Sequence, residues 1–116
     1  MKKCVKLIAA ASVIATLGAC TGVAVNAEET TVKAGFIFLH DENSTYDLNF
    51  INAAKAACEK MGIEYVAKTG IPEGQEAYEA ACELADAGCN FVFADSFGHE
   101  DYIIEAAREF PDVQFC

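Results

Sequence analysis

Proline and basic charge are both scarce in this sequence. Only two of its 116 residues are proline while 53% are hydrophobic, a balance that argues against a disordered chain. Eight Lys and Arg stand against 18 Asp and Glu, for a formal net charge of −10. Such a chain repels polyphosphate and anionic headgroups, and no local basic patch reverses this, so nucleic acid is not an expected partner. The sequence also lacks a C-x-x-C pair, a G-x-G-x-x-G, a Walker loop and a serine-histidine-acid constellation. Zinc and thioredoxin-like chemistry thereby lose support, and the reading is a non-enzyme with no cofactor. The length allows one small domain and excludes a large two-domain enzyme.

The few basic residues are unevenly placed. Lys2, Lys3 and Lys6 lie in the first six positions, and no acidic residue precedes Glu28. Leu7 to Ala19 is apolar or small throughout. A basic start followed by about a dozen apolar residues has the proportions of a secretory signal, and is shorter than the roughly 20 residues a membrane-spanning helix needs. The run ends in Leu17-Gly18-Ala19-Cys20, which resembles a bacterial lipobox in which the Cys20 sulfur accepts diacylglycerol. Ordinary cleavage after Val25-Asn26-Ala27 is the competing reading. An acylated Cys20 would hold the protein on the membrane, because each buried CH₂ contributes about 0.8 kcal/mol. The expected organisation is a lipoprotein signal peptide over 1–19, a tether over 20–31, and one globular unit over 32–116.

Six cysteines are present. Cys4 goes with the signal and Cys20 with the lipid, which leaves Cys58, Cys82, Cys89 and Cys116. Small buried hydrophobes are the expected role. A disulfide is compatible with export, and the sequence does not pair these sulfurs.

From Val32 onward the pattern alternates. The continuous apolar run 32–39 reads as a buried strand. Ser44 and Asp47 offer a capping box, with the Ser44 hydroxyl on the Asp47 N–H and the Asp47 carboxylate reaching back. The helix that follows should run to Met61, with Phe50, Ala54, Ala57, Cys58 and Met61 on its inner face, and stop at Gly62. Strands are expected at 63–67, 90–94 and 113–116. Helices are expected at 74–87, with Ala77, Ala81, Leu84 and Ala85 inward, and at 99–109, with Ile103, Ala106, Ala107 and Phe110 available for packing. The order β-α-β-α-β-α-β implies an α/β fold, a parallel sheet with helices on both faces. The last strand, with no helix after it, reads as an interruption in a longer open reading frame.

Ligands of open parallel sheets bind beyond the carboxyl ends of the strands, where the strand order reverses. Two polar loops leave such ends here, 40–47 and 95–101. Each carries one aromatic ring, Tyr46 and Phe97, and each runs into a helix N-terminus where free N–H groups favour acceptors. Paired rings beside carboxylates and amides suit a flat, neutral, hydroxyl-bearing small molecule. The plainer alternative is a pair of capped surface loops with Phe97 packed inward. A different chemistry is also open: His40-Asp41-Glu42 and His99-Glu100-Asp101 together offer ligands for a divalent-metal-binding or hydrolytic site.

Phe36-Ile37-Phe38-Leu39-His40-Asp41 with Ser44-Thr45-Tyr46-Asp47, then Ile71-Pro72-Glu73-Gly74, Phe93-Ala94-Asp95-Ser96-Phe97-Gly98 and Glu109-Phe110-Pro111-Asp112-Val113, resembles the basic membrane protein (BMP) family of ABC transporter substrate-binding lipoproteins. The resemblance covers about residues 32–116. It implies the N-terminal lobe of a type 1 periplasmic-binding-protein fold, purine nucleosides as solutes, ABC permease subunits as partners, and a lipid-anchored place on the extracytoplasmic face of the cell membrane. It also implies Asp41, Tyr46 and Asp47 in a first ligand loop and Ser96 and Phe97 in a second. Asp47 departs from the Asn that the family often has there. A structural or sensory lipoprotein using the same lobe is a third reading.

Overall fold

Side chains along the first strand alternate between two covered faces of a sheet. In the computed structural model, which describes residues 31–116, β1 is Lys33–Ile37, and Ala34 and Ile37 are both buried. The expected signal peptide, Cys20 and all but the last residue of the expected tether lie outside the described residues. Three further strands follow, β2 (Glu64–Lys68), β3 (Phe91–Ala94) and β4 (Gln114–Phe115). They alternate with α1 (Thr45–Met61), α2 (Gln75–Asp86) and α3 (Glu100–Glu109), the last preceded by a 3₁₀ turn at Phe97–His99. All pairings are parallel, and the sheet order is β2-β1-β3-β4. The chain thus has the α/β fold that its alternation implies. No helix among the described residues is long and apolar enough to cross a membrane.

The two sheet faces are covered differently. The Gly35 and Ile37 face carries α2 and α3, and its core holds Ile37, Leu84, Val92, Cys89, Ile103 and Ala106. Gly35 lets α2 approach closely: a Cβ there would stand 3.1 Å from both Leu84 Cδ1 and Cys89 Sγ. The small residues Ala77, Ala80 and Ala81 give α2 the same close fit from its own side.

The opposite face is aromatic. Phe36 stacks on Phe38, Tyr65 and Phe93 at centroid distances of 6.1, 5.2 and 5.3 Å. Helix α1 packs on this side against β2. Its buried residues are Asp47, Ile51 and Cys58, while Phe50, Ala57 and Met61 are exposed. Cys58 is buried and Ala54 half-buried as expected, but the stripe is rotated, running 47-51-58 and leaving Phe50, Ala57 and Met61 of the expected 50-54-57-58-61 outside. Periodicity alone supported both stripes, since both follow three- and four-residue spacing. The position of β2 beneath the helix chose between them.

Glycine and serine set the ends of α1. Gly62 adopts the left-handed conformation at φ 67° and donates to Cys58 and Glu59 carbonyls, as a C-terminal glycine does. Ser44 is the N-cap, accepting from the Asp47 N–H at 3.3 Å. The second half of the expected capping box is different. The Asp47 carboxylate accepts from the Ser44 hydroxyl at 2.6 Å, and the Ser44 N–H donates to the Asp41 carbonyl instead. An Asp at this position has turned inward to the strand end. Cys58 and Cys89 are buried and Cys82 is half-buried, so three of the four cysteines in this unit pack as small hydrophobes; Cys116 is exposed.

Candidate functional site

Strand order decides where a site can form. From β1 the chain moves to β2 on one side and then crosses to β3 on the other. The loops leaving the carboxyl ends of β1 and β3 diverge there and open a crevice. Those loops are the two that carry Tyr46 and Phe97.

Both rings stand at the mouth of the crevice. Tyr46 is 62% exposed and Phe97 is 89% exposed, so neither is spent on the core. They line one cavity of about 250 Å³, with Leu39, His40 and Asp47 from the β1 side and Asp95 and Ser96 from the β3 side. An adjoining trough of about 410 Å³ continues past Tyr46 over Phe36, Phe38, Phe50 and Phe93. The Phe50 ring, one helical turn on, supports Tyr46 at 4.9 Å in a tilted contact.

Asp47 sits behind this surface, fully buried. Its Oδ1 accepts from the His40 N–H at 3.0 Å, and its Oδ2 meets His40 Nδ1 at 3.0 Å as well as the Ser44 hydroxyl. Burial opposes its ionisation. The hydrogen bonds from Ser44, the His40 N–H, Asp95 and the His40 ring overcome that and hold its carboxyl well below the usual range. Asp95 lies alongside. Its Oδ1 accepts from the Leu39 N–H at 3.0 Å, one residue before the N–H that serves Asp47. Burial pushes the Asp95 carboxyl up, the Leu39 bond lowers it, and the neighbouring Asp47 raises it further.

The remaining expected residues divide. Ser96 lines the cavity and its hydroxyl donates to Glu73, from the loop after β2. Gly98 makes room for that contact, since a Cβ there would overlap the Glu73 carboxyl group. Asp41 does not line the cavity: its Oδ1 accepts from the Asn43 N–H at 2.9 Å and shapes the loop. Tyr46, Asp47, Ser96 and Phe97 are therefore brought together, and Asp41 stands apart. Asp95 and Glu73 also reach the site, although neither stands among the expected site residues. Both had a usable signal, because each lies in a loop leaving the carboxyl end of a parallel strand.

The histidine-acid clusters are not brought together. His99 is fully buried, with Nε2 2.8 Å from the Ile71 carbonyl, whereas His40 is exposed. Among the described residues no group of three or more His, Cys, Asp or Glu side chains is placed to hold a metal ion. The divalent-metal alternative fails on this placement: one imidazole serves the core while the acids around it, Glu100 and Asp101, are exposed in the first turn of α3.

Comparison with known proteins is consistent with this geometry. No family model matches the chain. A purine-binding protein of Brucella abortus (strain 2308) is 36% identical over 109 residues, covering 89% of this chain and 30% of that protein. In structure, the chain superposes on an ABC transporter solute-binding protein from Conexibacter woesei at a TM-score of 0.65 and 22% identity, over 73% of this chain and 28% of that one. A transcriptional activator of the comK gene from Bacillus halodurans superposes at 0.63 and 20% identity, over 72% and 28%. The chain spans under a third of the length of each of these proteins. In fold it is an α/β unit of the kind found in an ABC solute-binding protein, and in sequence it is similar to a purine-binding one.

Proposed function

We propose that residues 32–116 form the first lobe of an extracytoplasmic solute-binding lipoprotein of an ABC importer. Its solute is a purine nucleoside or a related purine, and Cys20 is its lipid anchor. The observation that carries this is the pair of exposed rings, Tyr46 and Phe97, at the mouth of one crevice where the strand order reverses. A solvent-exposed ring costs hydrophobic free energy unless something stacks on it, and a purine offers two flat faces. The polar groups around the rings fit the rest of a nucleoside. Ser96 and the exposed His40 ring are in reach of hydroxyls, and the site carries no cluster of positive charge that would call for a phosphate. The similarity to a purine-binding protein supports the same solute class. In this reading Asp47 organises the loop and leaves hydrogen bonding of the solute to the rim. A second lobe closes over the first, and the closed form docks on permease subunits.

Calorimetry on the full chain with inosine, adenosine, guanosine and free adenine tests the assignment. At least one should bind, while AMP should bind far more weakly because the −10 chain repels its phosphate. Binding of AMP in preference to all four neutral purines would overturn the reading.

A further inference from the structure

The rim that carries Phe97 is held from behind by the loop after β2. The Ile71 N–H donates to the Phe38 carbonyl, just past β1, at 3.0 Å. The Ile71 carbonyl accepts from Nε2 of the buried His99 at 2.8 Å. Those two bonds seat the loop between the strand end that leads to Tyr46 and the turn that carries Phe97. Two residues on, Glu73 lies across that turn. Gly98 has no side chain, and the Glu73 side chain occupies the place where one would be. Its carboxylate ends on the Ser96 hydroxyl. Among the described residues no Lys or Arg forms an ion pair with Glu73, so no cation draws the carboxylate away from Ser96.

The direction of the Ser96 bond is set by the chemistry of its partners. A carboxylate accepts and cannot donate, so the hydrogen between them belongs to Ser96. A hydroxyl has one hydrogen and two lone pairs. With its hydrogen on Glu73, Ser96 has only lone pairs left for the cavity that it lines. A solute carbonyl placed there meets an oxygen lone pair with a negative carboxylate behind it. An N–H or O–H placed there meets an acceptor that the same charge strengthens.

We propose that Glu73 is a specificity-determining residue: it holds the Ser96 hydrogen, and the solute group that fits beside Phe97 is therefore an N–H or O–H donor. The choice of solute rests on the proposed function. In a purine nucleoside the donors are the ribose hydroxyls and the amino or N–H groups of the base edge. Glu73 acts through Ser96 and needs no contact with the solute.

Two measurements on the full chain test this. The Glu73 carboxyl ¹³C resonance, at pH 7 and without solute, should move in Ser96→Ala and return to its wild-type position in Ser96→Thr, which keeps a hydroxyl. A resonance that ignores Ser96→Ala would overturn the proposal. Calorimetry then reads the selection. The probes are adenosine and four analogues in which the 6-amino group or the 2′-, 3′- or 5′-hydroxyl is replaced by fluorine, which cannot donate. One of the four penalties should belong to Ser96: roughly 2- to 13-fold in wild type, the worth of one hydrogen bond, absent in Ser96→Ala, and reduced in Glu73→Ala, where the freed hydroxyl turns to donate. Four penalties unchanged in Ser96→Ala would overturn the proposal, and so would one that vanishes in Ser96→Ala but keeps its full size in Glu73→Ala. Both side chains lie outside the core, so thermal unfolding of the variants should follow wild type. If no purine nucleoside binds wild type, the solute assignment fails, and the carbon resonance alone decides whether Glu73 holds the Ser96 hydrogen.

Discussion

Phe97→Ala separates binding from folding more sharply than any other substitution in the site. The ring is 89% exposed, so truncation removes little buried surface. Surface changes of this kind stay within about 0.5 kcal/mol of wild type, which in a domain of this size is at most about 4 °C in Tm. The same ring, stacked on a purine, is worth about 1–3 kcal/mol by alanine substitution. At about 1.4 kcal/mol per factor of ten, that is roughly a 5- to 150-fold loss of affinity. Tyr46→Ala is the internal comparison. Tyr46 is 62% exposed and touches Phe50 at 4.9 Å, so it should lose similar affinity and, in addition, about 0.5–1.5 kcal/mol of stability from the ring contact. The assay is isothermal titration of inosine paired with thermal unfolding of each variant. Unchanged affinity in Phe97→Ala, with an unchanged Tm, would show that the ring is simply exposed and that the crevice is not the solute site.

Two further changes probe the scaffold. Gly35→Ala places a Cβ 3.1 Å from Leu84 Cδ1 and Cys89 Sγ, and overpacking of about 1–3 kcal/mol should outweigh the stabilisation of about 0.4–1 kcal/mol that replacing glycine brings through the unfolded chain, so chemical denaturation should show net destabilisation. Ser44→Ala removes the N-cap of α1 and the hydroxyl on Asp47 together, and urea unfolding should show a loss of about 1–2 kcal/mol that Ser44→Thr largely restores.

Much of this protein was legible in its sequence, for local reasons. Continuous apolar runs such as 36–39 and 91–94 mark strands, although Phe91 and Phe93 on the aromatic face of β3 stay exposed. Ser44, Gly62 and Gly88 punctuate the helices because capping and left-handed turns demand those residue types within one or two positions. Alternation of the two patterns leaves a parallel sheet as the natural outcome, and the rule that loops at its carboxyl edge carry ligand sites places Tyr46 and Phe97 on such loops from sequence alone. Other features were beyond its reach. The rotation of α1 depended on where β2 lies beneath it, so Ile51 was buried and Phe50 and Met61 were not. The separation of His40 from His99 depended on one ring turning to the Ile71 carbonyl. Asp47 and Asp95, 48 positions apart, line one cavity only because β1 and β3 pair and make their loops neighbours. Sequence fixes what each segment prefers, since propensity, capping and periodicity act over a few residues. Which carboxylate faces which is settled by the stacking of strands, because the energy of burying a charge depends on every group that the fold brings to it.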